Sequence, residues 1–223
     1  MFDKQFEEWK NDINNDLLKR HTNLLKGFMD DKELNSFVTI LLNYSKSSVP
    51  RYMINYVERL VTLSDDIEKI RPGKDSLKIF FMVVCIESLY KLSDIKLFPN
   101  RKRDPKNEVI IDFFQSYLSE ADKQYILENF RHETELITIE SFALMIYQIR
   151  NNFTHEGIYW KFLFSPNHLS FETEIYTRIR KDDKREAKYK FDISLSYSDF
   201  REMCIKGYIN FIKQYFKRIN DKN

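Results

Sequence analysis

Residues 75–96 read DSLKIFFMVVCIESLYKLSDIK and form the most apolar stretch of the chain. Seven consecutive apolar residues run from Phe80 to Ile86, and Glu87 follows them directly. A helix that is apolar on most of its sides packs at the centre of a protein, surrounded by other elements. This stretch therefore predicts a buried central helix against which the rest of the chain packs.

Helical periodicity extends over most of the first two-thirds of the chain, with apolar residues three, four or seven positions apart. The pattern predicts helices over residues 2–29, 33–45, 48–70, 75–96, 106–118, 120–131 and 139–153, with a last one over 198–219. Pro50 and Thr138 mark the start of two of them, since proline is tolerated in the first turn and threonine caps free N–H groups. Only four glycines and five prolines occur in 223 residues, which favours long helices.

The period changes to two near the end of the chain. Apolar and polar residues alternate over 169–179 and again over 189–195, which is typical of half-buried strands, and the charged segment 181–186 between them predicts a hairpin turn. A third strand is expected over 159–164. The predicted fold class is mainly α, a helical bundle with a small antiparallel β insertion before the C-terminal helix. One domain over 1–223 is expected, with N-terminal helices (1–72), core helices (75–157), the insertion (158–196) and the last helix (197–219).

Composition excludes several classes of protein. The balance of 36 basic and 34 acidic residues gives a net charge of +2, which is not typical of a protein that binds nucleic acid over its whole surface. The four glycines lie far apart, so the glycine loops of P-loop and Rossmann proteins are excluded and no cofactor is expected. No cluster of Cys and His predicts a metal site. With neither a signal peptide nor a long apolar run in the sequence, we expect a cytoplasmic protein without membrane contact.

A polar motif ends the predicted helix 139–153. Residues 149–157 read IRNNFTHEG, with Arg150 and His155 separated by four residues. This pair suits the cleavage of RNA without a metal ion. Histidine titrates near neutral pH, so it can take the proton of a ribose 2′-hydroxyl or return one to a leaving oxygen. Arginine stays charged and binds phosphate oxygens as negative charge develops, while Asn151 adds an uncharged donor.

Regular helix geometry separates the two charged groups of this motif. Five steps of ~100° place Arg150 and His155 about 140° apart around the axis. The two side chains converge only if the helix unwinds near residues 152–154, or if a second subunit contributes one of them. Gly157, just beyond the motif, is a suitable residue to end the helix.

The motif resembles that of the HEPN superfamily (higher eukaryotes and prokaryotes nucleotide-binding), which comprises all-helical domains. Active members carry R-x4-6-H, commonly with Asn, Asp or His after the Arg, and Arg150, Asn151 and His155 match this pattern. An upstream core helix with a Glu is also similar, here Ile86-Glu87-Ser88-Leu89-Tyr90. The resemblance covers about residues 75–157 and the last helix. It implies a metal-independent endoribonuclease, an RNA-binding hydrolase that dimerises to bring two motifs into one cleft.

The resemblance also implies roles in toxin–antitoxin, antiphage (antiviral defence) or RNA-processing systems, with an antitoxin or other regulatory partner. Some members of the superfamily are inactive and only bind. The alternative function is therefore a non-catalytic helical interaction module or nucleotide-binding module.

Each motif residue also has a structural interpretation. His155 is equally expected as a surface histidine near a helix end, where the helix dipole favours a cation. Arg150 lies on the packed stripe of its helix and needs a partner there, and Glu87 is the candidate for a structural ion pair. Glu87 and Asn152 are therefore taken as supporting residues, and both Asn151 and Asn152 are also suited to simply ending a helix.

Two basic patches are candidates for RNA contact, because cations hold a phosphate backbone and make binding salt-sensitive. The first surrounds the hairpin turn and the second lies in the loop 97–106. The residues predicted to bind RNA are Arg178, Arg180, Lys181, Arg101 and Arg103. Charges of mixed sign at a hairpin tip are also explained by solubility alone.

Overall fold

A computed structural model describes residues 2–98, 100, 104–157, 162–180, 185 and 187–221, with the backbone alone for residues 2–11, 156 and 176. In these residues the chain forms eight helices and a three-stranded antiparallel sheet. The elements are α1 (Phe2–Leu25), α2 (Asp31–Asn43), α3 (Val49–Ile70), α4 (Asp75–Ser93), α5 (Lys106–Ser116), α6 (Glu120–Asn129), β1 (Phe130–His132), α7 (Ile139–Glu156), β2 (Phe171–Thr177), β3 (Ala187–Ile193) and α8 (Tyr197–Asp221). The predicted mainly helical class, with a small sheet before the C-terminal helix, is confirmed.

Helix α4 occupies the centre of the molecule, as its sequence predicts. It contacts α3, α5, α7 and α8. Six of its apolar side chains are fully buried, namely Ile79, Met82, Val83, Cys85, Ile86 and Leu89. Burying one large apolar side chain stabilises a fold by about 1.5–3 kcal/mol, so α4 is a major source of stability. None of the described helices is both long and apolar enough to cross a membrane.

Local sequence signals fix both ends of α7, the helix that carries the motif. The Thr138 hydroxyl accepts a hydrogen bond from the Ser141 N–H at 3.1 Å, and the Ser141 hydroxyl accepts one from the Thr138 N–H at 3.2 Å. At the other end Gly157 adopts a left-handed conformation with φ 66°, and its N–H donates to the Phe153 carbonyl at 3.2 Å. Both predicted end signals are confirmed, and α7 extends three residues beyond the predicted 139–153.

The sheet has the strand order β1-β3-β2 with β3 in the middle. Strands β2 and β3 pair in register from Phe171↔Ile193 to Thr177↔Ala187. The predicted pairing of the two strands is thereby confirmed, with slightly different strand limits, whereas residues 181–184 and 186 of the predicted turn lie outside the described residues.

The third strand differs from the prediction. No strand forms at 162–164, the described part of the predicted strand 159–164, and residues 159–161 lie outside the described residues. The third strand is β1, which replaces the last two residues of the predicted helix 120–131 and continues to His132. Phe130 is buried and stacks on Phe191 with ring centroids 4.7 Å apart, so the apolar surface buried by pairing with β3 stabilises the strand at this position.

A cluster of polar residues around the buried Lys78 joins α3, α4 and α8; we call it the Lys78 cluster. The Lys78 ammonium donates to Asp75 at 2.9 Å and to Glu68, and lies 4.5 Å from the centre of the Tyr197 ring. The second oxygen of Asp75 accepts the Phe164 N–H at 2.8 Å. The side chain of Lys78 is only 6% exposed, yet all its charge is compensated by neighbours.

Candidate active site at the end of α7

The motif lies in a helix that stays regular to its end. Helix α7 continues through Glu156, so the backbone does not unwind at residues 152–154. Arg150 is buried at 6% exposure, whereas His155 is exposed in the last turn. Within one chain the two side chains therefore point to different sides of α7. Because the helix does not unwind, Arg150 and His155 converge only if a second subunit contributes one of them.

Arg150 is held by the partner that the sequence predicts. Its Nη2 donates to Oε2 of Glu87 at 3.0 Å, which confirms the predicted ion pair between α7 and α4. Its Nη1 donates to Oδ1 of Asn151 at 3.2 Å. The ammonium of Lys106, in the first turn of α5, lies 3.3 Å from the same Glu87 oxygen. Three helices therefore meet at one carboxylate.

A single hydrogen bond, from Nη2 to Oε2, joins Arg150 to Glu87. Within the described part of the chain, Nε of Arg150 and Oε1 of Glu87 are buried and have no hydrogen-bond partner. A guanidinium and a carboxylate can instead pair through two parallel hydrogen bonds. A buried polar atom without a partner costs about 1–3 kcal/mol, and a functional role is one of the explanations for such an atom in a native structure.

Asn151 contacts the buried arginine and lies on the same side of α7 as the exposed His155. Residues four apart on a helix lie on the same face, so Asn151 and His155 are neighbours one turn apart. Asn152 instead accepts a hydrogen bond from Gln148 at 2.9 Å on the surface of α7. The structure thus brings Arg150, Asn151 and Glu87 together, but it leaves Asn152 and His155 outside this contact.

A cleft of about 590 Å³ borders Glu87 between the C-terminal half of α4 and the start of α5. Its wall includes the apolar residues Val84, Ile95 and Val109 and the charged residues Glu87, Lys91 and Lys106. Sequence analysis missed both Lys91 and the cleft. Lys91 stands four residues after Glu87, a spacing that places both on one face of α4 and was available as a signal. The cleft itself depends on how α4 and α5 pack.

The predicted basic patches are only partly described. Lys181, Arg101 and Arg103 lie outside the described residues. Arg178 is half-buried after the end of β2, and the exposed Arg180 lies 3.6 Å from Glu135. In the hairpin, Lys190 pairs with Glu172 at 3.0 Å and Lys188 pairs with Glu174. These ion pairs offset much of the charge of the described hairpin cations, and their contact with RNA stays a prediction.

Other catalytic groups are scarce among the residues that the structure describes. No cluster of three or more His, Cys, Asp or Glu side chains there could hold a metal ion. Burial raises the pKa of the Cys85 and Cys204 thiols well above the usual value, so neither is a ready nucleophile. The Arg150 motif is therefore the principal candidate for chemistry.

The resemblance to the HEPN superfamily rests on the R-x4-H motif and on the helix that carries Glu87. In the structure the contact of Arg150 with Glu87 joins these two segments. Comparisons with models of protein families, with curated proteins and with solved structures find no match to this chain.

Proposed function

We propose that this protein is a metal-independent endoribonuclease of the HEPN type. The observation that carries the proposal is the contact of Arg150 with Asn151, which lies on the same exposed helix face as His155. A guanidinium fixed on α7 supplies a phosphate-binding cation, and the exposed imidazole supplies a group of the kind that moves protons near neutral pH. Together these two groups suit RNA cleavage without a metal ion.

In the proposed reaction the ribose 2′-oxygen attacks the adjacent phosphorus while His155 takes the 2′-hydroxyl proton. The bond from phosphorus to the 5′-oxygen breaks, and that oxygen leaves with a proton from an imidazolium. The products are a 2′,3′-cyclic phosphate and a 5′-hydroxyl. Arg150 offsets the charge that builds on the phosphate oxygens, and general acid–base catalysis contributes about 10²–10⁴-fold in such reactions.

A homodimer is part of the proposal. Because α7 is regular, Arg150 and His155 of one chain face different directions, and Arg150 of one copy is proposed to act with the partner subunit's His155. Mixing the Arg150→Met and His155→Ala variants tests this arrangement. A mixed dimer then contains one intact site of two, so about a quarter of the wild-type activity returns in an equal mixture, whereas a site built within one chain returns none.

The primary test is RNA cleavage in EDTA by the purified protein, with the product ends identified by mass spectrometry. We expect His155→Ala and Arg150→Met to lower the rate at least 100-fold. His168→Asn is the matched control, since His168 is exposed and adopts φ 56°, a conformation that asparagine tolerates. Intact RNA at every protein concentration, or equal cleavage by His155→Ala and wild type, would overturn the proposal.

The second candidate function is a non-catalytic helical interaction or nucleotide-binding module. The observation that favours it is that Arg150 is 6% exposed and paired with Glu87, as a purely structural cation would be. The same cleavage assay separates the two candidates. We further propose a cytoplasmic location, a role in toxin–antitoxin or antiphage systems, and an antitoxin partner. Toxicity on expression that His155→Ala relieves would support the role as a toxin.

A further inference from the structure

Helix α3 carries a row of exposed hydrophobic residues. Eight large hydrophobic side chains in the described part of the chain are exposed, and four of them are on α3, namely Tyr52, Tyr56, Leu63 and Ile70. Steps of about 100° per residue place these four within about 40° of one another around the helix axis. They form one stripe about 27 Å long, which we call the α3 stripe.

The α3 stripe faces away from the core. On the opposite side of α3, Val61 is fully buried and the Ser64 hydroxyl donates to the Lys78 carbonyl of α4 at 3.0 Å. Among the residues that the structure describes, no hydrogen bond or ring contact engages the side chains of Tyr52 and Tyr56. Exposed hydrophobic residues that adjoin one another mark interaction sites, whereas scattered ones do not. The α3 stripe is therefore a candidate interface.

Two opposite charges lie on the same side of α3. Arg59 and Asp66 are seven residues apart, and both lie within about 40° of Tyr52 and Ile70 around the axis. Arg59 is exposed, and no ion pair or hydrogen bond engages its side chain in the described residues. Asp66 accepts from Lys69 at 2.8 Å, a surface pair of the kind that contributes little to stability. Both charges are therefore available to a partner on this face.

The order of these charges favours a second copy of the chain that runs in the opposite direction. When two copies of α3 pack antiparallel about a twofold axis near residue 61, Tyr52 lies opposite the partner subunit's Ile70. The same arrangement places Arg59 within about 5 Å, measured along the axis, of the partner subunit's Asp66. A parallel pair would instead set each charge against its own copy, which like charges oppose.

We propose that the α3 stripe binds a second copy of this chain as an antiparallel helix pair. The contact is of the symmetric kind that is commonest in homo-oligomers, one patch against its own copy. Tyrosine and arginine, which both lie on this face, are enriched in protein interfaces. The α3 pair is separate from the dimer proposed for RNA cleavage, because that dimer joins two copies at α7 and the α3 stripe lies on the side of α3 away from α4.

Position-specific cross-linking of the full-length protein tests the pair. Tyr52→Cys and Ile70→Cys, both at exposed positions, are treated with a short bismaleimide separately and as an equal mixture. The natural Cys85 and Cys204 are fully buried, so they do not react in the folded protein. We expect no cross-link from either variant alone, since about 27 Å separates like positions in the antiparallel pair. In the mixture up to about half of the chains should cross-link, because random pairing makes half of the dimers mixed.

Charge reversal tests the direction of the pair. Arg59→Asp or Asp66→Arg, added to both cysteine variants, is expected to lower the mixed cross-link about 3- to 10-fold, because each sets like charges together twice. The double variant Arg59→Asp/Asp66→Arg should recover the original yield. Leu136→Cys mixed with Tyr52→Cys gives the background, since Leu136 is exposed between β1 and α7.

The outcomes separate the occupants of the α3 stripe. Cross-linking by Tyr52→Cys alone would indicate a parallel pair and overturn the proposal. A mixture that cross-links no more than the Leu136→Cys control would also overturn it and leave the stripe to a different protein. A yield that neither charge reversal changes would overturn the selection of an antiparallel copy by charge. None of these measurements involves RNA, so their results are independent of whether the protein cleaves it.

Discussion

Lys78 and Arg150 are two buried cations that differ in how completely their neighbours pair with them. Lys78 lies on α4, and Arg150 lies on α7, which packs against α4. The Lys78 side chain is 6% exposed and that of Arg150 is 8% exposed. Lys78 is surrounded by two carboxylates and an aromatic ring. Arg150 reaches one carboxylate through one nitrogen, and both members of that pair keep a buried atom without a partner in the described residues.

The difference separates a structural cluster from a candidate site. Fully satisfied polar networks make a fold rigid, and the Lys78 cluster joins three helices and the segment at Phe164 in this way. A pair with unused donors and acceptors gains nothing further for stability but can accept new partners. The Arg150 pair also borders a cleft through Glu87 and an exposed helix face through Asn151.

The largest expected effect on stability is that of Lys78→Met. We expect it to lower the free energy of unfolding by about 3 kcal/mol, because breaking a buried ion pair leaves an uncompensated charge. That charge is on Asp75, whose side chain is 9% exposed. Urea denaturation measures the loss. Lys69→Met is the matched control, since its partner Asp66 is at the surface and such pairs contribute about 0–1 kcal/mol.

If Lys78→Met lowers the free energy of unfolding by less than 1 kcal/mol, Lys78 does not differ from Arg150 in the way proposed. RNA cleavage by a folded Lys78→Met variant is expected to stay at the wild-type level. A selective loss of cleavage would instead place the Lys78 cluster in the catalytic machinery.

The second largest effect on the free energy of unfolding is expected for the pair of Arg150 and Glu87. Arg150→Met alone is expected to cost about 2 kcal/mol, because it leaves Glu87 with only Lys106 as a cationic partner. The double variant Arg150→Met/Glu87→Met is expected to unfold within about 1 kcal/mol of wild type, since an apolar pair of similar size replaces a pair with two unpartnered atoms. Both variants should lose RNA cleavage.

Denaturation and cleavage measured on the same samples decide this prediction. A double variant that is several kcal/mol less stable than wild type would assign Arg150 to the structural class of Lys78. The cleavage result is then no longer separable from folding, and the non-catalytic module becomes the better interpretation.

Local signals made much of the fold predictable. The apolar run of α4, the Thr138 cap and Gly157 are properties of short segments, so the sequence predicts the elements that they define. The Arg150–Glu87 pair was predictable for a related reason. Each residue stands on an apolar stripe of its own helix, and a buried charge needs a partner there.

Features that depend on distant contacts were not predictable. Strand β1 has only three residues, too few to show a period of two, and it exists because Phe130 stacks on Phe191 of β3. Lys78 has one local signal, the acidic Asp75 three residues earlier, but its other partners come from α3 and α8. The cleft requires the packing of α5 on α4. A single sequence carries none of these distances.

The smallest expected effect tests whether an unpartnered buried atom alone marks a site. His21 in α1 is fully buried and donates to Oδ1 of Asn55 at 2.9 Å, and its Nδ1 has no partner among the described residues. Burial lowers the pKa of His21 below its usual value, the Asn55 contact opposes this, and Arg20 and Arg51 reinforce it. The unfolded chain therefore binds this proton at a higher pH than the folded chain does. Stability should fall slightly as the pH drops below about 6.5 toward the lowered pKa.

His21→Leu should remove that dependence between pH 7 and pH 5.5 while RNA cleavage stays unchanged. An unchanged pH dependence in His21→Leu would show that other groups titrate in this window. A loss of cleavage in a stable His21→Leu variant would contradict the distinction itself. His21 does not line the cleft beside Glu87, so its unpartnered atom is a cost of burial alone, whereas the Glu87 side chain borders that cleft.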